Sequence, residues 1–164
     1  MATSLAKKTS PDATKKQLDA VALLRADHNA VAALFAEYKT LRSLTKKKAL
    51  VTKICVELAV HAQVEEEIFY PAVQKALKDR AMIPKAIVEQ QTMKDLISQV
   101  EGKEPDGDLF DAKITVLAEY VTHHVKEEHS EMFPKAKATS LDMHMLGARM
   151  AARKAELLAA HGAA

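Results

Sequence analysis

Residues 61–71 read HAQVEEEIFYP, and residues 124–134 repeat the same pattern as HVKEEHSEMFP. In each stretch a histidine precedes a glutamate by four residues and a proline by ten. Four residues make about one turn of an α-helix, so the imidazole and the carboxylate of each pair lie on one face. Two such helices facing each other are expected to form a metal site.

The composition favours helices throughout the chain. The 164 residues suit a single domain with a real core, and only four glycines and five prolines interrupt a sequence dominated by Ala, Leu, Lys, Glu and Val. Alternating runs of β-branched residues, which would indicate strands, are scarce. The sequence therefore predicts an all-α fold.

The charges argue against nucleic acid and membranes as partners. The 24 basic and 22 acidic side chains are interspersed and the net charge is +2, whereas phosphate binding needs a concentrated basic surface. No apolar stretch is long enough to span a bilayer. The single cysteine, Cys55, excludes an internal disulfide and fits a reducing compartment, so a cytoplasmic protein is expected. A protein partner does not follow from the sequence.

We expect three segments along the chain. Residues 1–16 are basic and rich in small side chains, which is typical of a flexible leader, with a transit peptide as the alternative. Residues 17–138 should form a helical bundle, and residues 139–164 a last helix and tail.

The apolar periodicity predicts five helices. Pro71 lies inside the second helix, where it should kink the helix or end its regular hydrogen bonding. Ser140 is the expected N-cap of the last helix, which should pack outside the other four. The predicted spans are residues 11 or 12 to 41, 45 to 77, 83 or 84 to 100, 108 to 137 and 140 to 160.

Each of the first four helices carries a polar side chain of ligand type within its apolar stripe. Burying imidazoles and carboxylates in a core is costly unless they are paired or bound to a cation, so a metal is the simplest common partner. For either repeat taken alone, an exposed histidine-glutamate pair on a solvated face is the competing interpretation. The candidate ligands are His28, His61 with Glu65, Gln90, and His124 with Glu128.

Other polar residues are given different roles. His123 and His129 flank His124 and are expected at the surface. Cys55 should be a small core residue. Tyr120 lies one turn before His124 and is expected to face inward, where it would pack in the core or form a hydrogen bond with a bound ligand.

These residues resemble the hemerythrin family, also called the HHE cation-binding family. The resemblance rests on the two repeats, on RADHN at residues 25–29 and on EQQTMKDLI at residues 89–97, and it covers about residues 18–138. It implies an up-down-up-down four-helix bundle, to which the last helix is an addition, and a non-haem centre of two irons in its core. By this resemblance His28, His61 and His124 are terminal iron ligands, and Glu65 and Glu128 bridge the metals or ligate one of them.

The third helix departs from the family pattern. Where members commonly have glutamate-histidine it has Glu89-Gln90, and where oxygen carriers have a further histidine it has Lys94. An amide oxygen is a weak ligand for iron and an ammonium repels a cation, so one metal position is expected to be open, weakly held or vacant. Gln90 and Glu89 remain candidate ligands, although they point about 100° apart around the helix.

The resemblance implies a protein that holds two irons per chain and binds or reacts with a small ligand such as O2, NO or peroxide. Zinc and manganese also suit imidazole and carboxylate ligands. The alternative is a non-catalytic iron-binding, sensing or storage module whose fold the metal stabilises. A bundle that has lost its metal ranks last, because five other ligand candidates remain. Without a strong catalytic signature, whether the protein is an enzyme stays open.

Overall fold

The computed structural model describes residues 17–162, and all regular structure among them is helical, which confirms the predicted all-α fold. Two π-helical turns, Glu65–Phe69 and Glu128–Met132, join α2 to α3 and α5 to α6, so that five helical rods result. The helices are α1 (Ala20–Thr40), α2 (Leu44–Val64), α3 (Tyr70–Ala76), α4 (Met82–Val100), α5 (Asp108–Glu127), α6 (Phe133–Lys137) and α7 (Met143–Ala160).

The first helix starts later than the sequence predicts. It begins at Ala20 because the side chain of Asp19 accepts a hydrogen bond from the backbone N–H of Ala22 at 2.8 Å, which caps the helix there. The expected start at residue 11 or 12, and the predicted leader over residues 1–16, lie outside the described residues.

The last helix also starts later than predicted. Asp142, not Ser140, is its N-cap, and the Asp142 side chain accepts from the backbone N–H groups of His144 and Met145. A carboxylate that accepts two of the free N–H groups of a helix start outcompetes a hydroxyl two residues earlier.

Each repeat contains a π turn that ends two residues before its proline. The N–H of Tyr70 donates to the carbonyl of Glu65, and the N–H of Phe133 donates to the carbonyl of Glu128, a step of five residues in place of four. The predicted interruption of the second helix at Pro71 is thereby confirmed. Each π turn begins at the glutamate that the sequence selects as a metal ligand.

Four of the rods close into a bundle. α1 and α4 each contact both α2 and α5, and α7 packs against α1, α2 and the first π turn, where Leu146 and Met150 are buried. None of the helices within residues 17–162 has the length and apolarity needed to cross a membrane.

Two apolar clusters fill the bundle, and a layer of polar side chains separates them. Along α1, Leu24 belongs to the first cluster, Val31 to the second, and buried His28 lies between them. The same order recurs on α4 around Gln90. The buried polar residues are Asp27, His28, His61, Glu65, Gln90, His124 and Glu128.

Candidate metal centre

All five ligand residues predicted from the two repeats and from His28 lie in this polar layer. They come from three of the helical rods, namely α1, α2 with its π turn, and α5 with its π turn, and none exposes more than 9% of its surface. The spacing of four residues works as expected, because the Nε2 atom of His61 lies 3.2 Å from Oε1 of Glu65 and that of His124 lies 3.2 Å from Oε1 of Glu128.

One group of ligand atoms gathers between α1 and α2. The Nε2 atom of His28 lies 3.1 Å from Nε2 of His61 and 3.2 Å from Oε2 of Glu128. His28, His61, Glu65 and Glu128 each offer a ligand atom within 4.8 Å of the others. Ligand atoms about 2 Å from a small cation lie about 3 Å from one another, so the spacing suits one cation.

A second group of ligand atoms gathers around Tyr70, which the spacing of the repeats does not indicate. Its hydroxyl lies 2.7 Å from Oε1 of Glu128, 3.1 Å from Oε2 of Glu65 and 3.2 Å from Nε2 of His124. Burial and the two carboxylates raise the pKa of Tyr70 well above its usual value. The two groups share Glu65 and Glu128, each of which turns one oxygen toward each group.

The π turn explains why Tyr70 was missed. In a regular α-helix, a residue five positions after Glu65 points about 140° away from it. The π turn between them places more residues in the turn, so Tyr70 and Glu65 face the same layer. The signal in the sequence is the Tyr70-Pro71 pair, because proline marks the break in regular hydrogen bonding.

Tyr120, which was expected to face inward, is 46% exposed, so that prediction is wrong. Leu117 fills the inward position of α5 below His124, and Tyr120 lies about 60° further around the helix.

Gln90 and Glu89, the two candidate ligands on α4, have different positions. Gln90 is buried in the layer and donates from Nε2 to Oε2 of Glu65 at 2.5 Å and to Tyr70 at 3.0 Å. Glu89 does not reach into the layer, because its Oε2 lies 2.8 Å from the outward Nδ1 of His124. Lys94 turns away and pairs with Glu66 at 2.6 Å.

Each of the three buried histidines has an outer partner at Nδ1 and turns Nε2 inward. His28 contacts His129 at 2.8 Å, His61 contacts Asp27 at 3.2 Å, and His124 contacts Glu89 at 2.8 Å. Metal-binding histidines are commonly oriented in this way by a second hydrogen bond. The arrangement fixes the inward nitrogen of each ring as the one free to bind a cation.

His129 and Asp27 were not selected from the sequence. The surface position predicted for His129 is wrong, because the residue follows Glu128 in a π turn and is half-buried against Phe133. Asp27 directly precedes His28, so only the arrangement of α1 and α2 brings it to His61. His123 is exposed, as predicted.

Burial and mutual proximity set the protonation of the layer. Burial and the charge of Glu128 raise the pKa of Glu65, whereas the neighbouring imidazoles of His124 and His28 overcome burial and hold the pKa of Glu128 well below its usual value. Burial opposes protonation of His61, but the charge of Glu65 and bonds to Asp27 and Glu65 raise its pKa well above normal. Against the same effect of burial, the bond to Glu128 and the charge of Glu128 raise the pKa of His124 to about 9.

Three buried oxygens of the layer test whether a cation fits. Oε1 of Glu65 and Oε2 of Glu128 each lie 3.2 Å from an imidazole Nε2 but form no hydrogen bond, and Oε1 of Gln90 has no hydrogen-bond partner among the described residues. A buried oxygen without a partner costs about 1–3 kcal/mol, and more when it is charged. A cation among nitrogen and oxygen ligands would satisfy these atoms, so the donor set fits a metal.

Two cavities reach the layer. One has a volume of about 30 Å³ and lies beside His28, His61, Gln90 and His124, with largely apolar walls that include Val31, Leu58, Met93, Ile97, Val121 and Val125. The other has about 240 Å³ and leads to His124 and Glu128, past the acidic side chains of Asp79, Glu89, Glu127 and Glu131. The first cavity has room for one or two water-sized molecules.

A second cluster of ligand-type residues, Glu89, His123 and Glu127, lies at the surface. Lys85 pairs with Glu127 and lies 3.3 Å from Glu89, so an ammonium already neutralises these carboxylates. The buried layer is therefore the better candidate for a cation.

A family model and two known proteins resemble this chain. The family model described as "Hemerythrin HHE cation binding domain" matches residues 19–136. A hemerythrin HHE cation-binding domain-containing protein of Mycobacterium kansasii has a similar crystal structure, with a TM-score of 0.75, 22% identity, and coverage of 87% of this chain and 89% of that one. A DNA nickase of Nostoc sp. is 30% identical over 119 residues, which are 73% of this chain and 34% of the nickase, so the chain spans about a third of that relative.

Proposed function

Because the chain belongs to the hemerythrin HHE cation-binding family, we propose that its buried histidines and glutamates hold two iron ions and that this centre binds a small ligand. The observation that carries the proposal is the division of the layer into two groups of ligand atoms that share Glu65 and Glu128. A carboxylate that turns one oxygen to each of two groups is suited to bridge two cations.

Each group supplies a ligand set for one cation. His28 and His61 with one oxygen of each glutamate make the first position, which has four donors. His124 with the other two oxygens makes the second position. The second position has one imidazole fewer, because α4 carries Gln90 and Lys94 where family members have histidines.

We propose that Tyr70 supplies the missing ligand of the second position. Its hydroxyl lies within 3.2 Å of His124 Nε2 and of one oxygen from each shared glutamate. A cation there would displace the phenolic proton. Burial and the two nearby carboxylates otherwise keep this proton on the hydroxyl, because they raise the pKa of Tyr70. Gln90 would then hold Glu65 and Tyr70 in place through its amide donors.

Imidazole, carboxylate and phenolate donors suit iron, and they can also bind zinc or manganese. Iron held by these residues would supply a redox-active Lewis acid to a ligand that enters the layer. The chain itself orients the three histidines through His129, Asp27 and Glu89, and it surrounds the centre with apolar clusters that exclude bulk water.

The size and walls of the smaller cavity favour an uncharged diatomic ligand. About 30 Å³ between the histidines and apolar side chains accepts a molecule such as O2 or NO more readily than the strongly hydrated peroxide. Peroxide would reach His124 through the larger acidic cavity. We therefore propose O2 or NO as the principal ligand class, with peroxide as a further reactant.

The second candidate is a metal-binding module that senses or stores iron without turnover. It is supported by the unpartnered oxygens of Glu65, Gln90 and Glu128, because a cation that satisfies them stabilises the fold directly. We do not propose the activity in the name of the Nostoc relative for this chain. The match covers 34% of that protein, and the charged side chains of this chain are interspersed with a net charge of only +2.

The free, buried Cys55 fits a reducing compartment, and we propose the cytoplasm.

To test the proposed centre, the metal-free protein is loaded with iron(II) in the absence of oxygen, and the bound iron per chain is measured. We expect two irons per chain, one in Tyr70→Phe, and none in the double variant His61→Ala/His124→Ala. After oxidation the wild type should show a visible phenolate-to-iron(III) absorption band that Tyr70→Phe lacks. Tyr120→Phe is the matched control, because it removes the same hydroxyl from an exposed tyrosine.

Unchanged iron in the double variant would show that the metal binds elsewhere, and two irons in Tyr70→Phe would refute the role of that residue. NO added to the iron(II) protein separates the two candidate functions. A spectral change supports the ligand-binding centre. A large increase in melting temperature with iron, without any response to NO, O2 or peroxide, favours the sensing or storage module.

A further inference from the structure

A partly buried charge pair links α7 to the first group of ligand atoms. Oδ2 of Asp27 lies 3.2 Å from Nδ1 of His61, and its Oδ1 lies 2.5 Å from Nζ of Lys154. Asp27 exposes only 9% of its side chain. Asp27 and Lys154 are not among the proposed ligands, yet together they lead from α7 to one of them.

The position of Lys154 follows from the packing of α7. Met150, one turn before it, and Leu157, three residues after it, are both buried and hold this face of α7 against the bundle. Lys154 therefore lies on the inner side of the helix, with 24% of its side chain exposed, and its ammonium reaches Asp27 on α1.

The chemistry of the pair concerns the orientation of His61. A neutral imidazole binds a cation through one nitrogen while the other carries the proton, and a carboxylate that accepts this proton fixes which nitrogen is free. Asp27 accepts from Nδ1, so Nε2 of His61 faces the ligand atoms. A buried carboxylate is costly without a counter-charge, and Lys154 supplies it.

We propose that Lys154 is a positioning residue of the first metal position, which makes α7 part of the metal centre. This rests on the proposed function. Lys154 holds Asp27 against His61, so docking of α7 favours cation binding. By reciprocity, a cation bound to His61 strengthens the docking of α7 by the same factor. Residues 143–160 of α7 lie beyond the segment that the family model matches, so the link belongs to the additional helix of this chain.

Three variants of the full chain separate positioning from helix docking. Lys154→Met removes the charge that faces Asp27, and Lys154→Arg retains it. Arg153→Met is the matched control, because Arg153 is the neighbouring basic residue of α7 and pairs at the surface with Glu67, 2.7 Å away, and not with Asp27. Lys154→Gln replaces Lys154→Met if the latter does not fold.

Cobalt(II) titration, followed by its visible absorption, measures both affinity and ligand geometry. Loss of an outer partner of a metal ligand typically weakens binding about 10- to 100-fold. We expect about a tenfold loss for the first cation in Lys154→Met with an altered cobalt spectrum, and less than about threefold in Lys154→Arg and Arg153→Met. Hydrogen exchange of α7 should slow when cobalt binds to the wild type, but not in Lys154→Met.

An unchanged affinity in Lys154→Met would overturn the proposal. So would equal losses in Lys154→Met and Arg153→Met, because the effect would then come from helix docking alone. A wild-type protein that binds no cobalt in the buried layer would instead contradict the proposed function, so the two failures are distinguishable.

Discussion

Loading the metal-free protein with a divalent cation at pH 7 should release protons from the buried layer. The pKa of His124 is raised to about 9, so this side chain is mostly protonated at pH 7, and His61 has a pKa well above its usual value. Each must lose the proton on Nε2 to bind a cation. Two cations therefore displace about two protons from histidines, and more when Glu65 and Tyr70, whose pKa values are raised, also bind.

Calorimetric titration with zinc in two buffers of different ionisation enthalpy measures this number directly. The surface carboxylate of Glu127 has a lowered pKa and is already ionised at pH 7, so this ligand of the surface cluster would release no proton to a cation. The double variant His61→Ala/His124→Ala is the control and should release none. Stoichiometric binding to the wild type without proton release would refute the assignment of the cation to the buried layer.

Three further predictions concern stability, measured by urea unfolding of the metal-free protein. In Gly147→Ala, the new methyl would lie 2.5–2.7 Å from backbone atoms of Leu18, Asp19 and Ala20. We expect the free energy of unfolding to fall by about 1–3 kcal/mol despite the better helix propensity of alanine, and an unchanged stability would refute this close approach of α7 to α1. Protonated His124, whose pKa is raised to about 9, stabilises the fold fully below about pH 6.5, and this contribution is lost as the pH rises through about 9. The free energy of unfolding should therefore fall by about 3 kcal/mol across that interval, and a rise would contradict the direction of the shift. Asp111→Asn weakens the 2.6 Å bond from Tyr38 and the ion pair with Lys47, and it should cost about 1–2 kcal/mol, whereas no change would show that the contact is not formed in solution.

The ligand residues of the two repeats could be predicted because they depend on local periodicity. A histidine and a glutamate one turn apart share a face whatever the rest of the fold does, and His28 falls on the apolar stripe of its own helix. The structure brings all five predicted residues into one buried layer. Their role as metal ligands stays a prediction.

Tyr70 and Tyr120 illustrate where periodicity fails. Tyr120 lies one turn before His124 and was expected to face inward, but it is exposed. A regular helix would turn Tyr70 away from Glu65, whereas the π turn brings both side chains into the layer, because it shifts the phase of every later residue in its helix. Pro71 predicts an interruption of the helix, but it does not predict which side chains face the core after the interruption.

The outer partners of the histidines depend on tertiary packing. Asp27 meets His61 only because α1 lies beside α2, and Lys154 meets Asp27 only because α7 packs across α1. These pairs are separated in the sequence by 34 and 127 positions, so no local pattern connects them.

A crystal structure of the iron-loaded protein, with anomalous scattering recorded at the iron edge, would locate the cations directly. We expect two peaks in the buried layer, one among His28, His61, Glu65 and Glu128, and one beside His124 and Tyr70, with Glu65 and Glu128 shared between them. A single peak at the surface cluster of Glu89, His123 and Glu127, or none in the layer, would contradict this expectation.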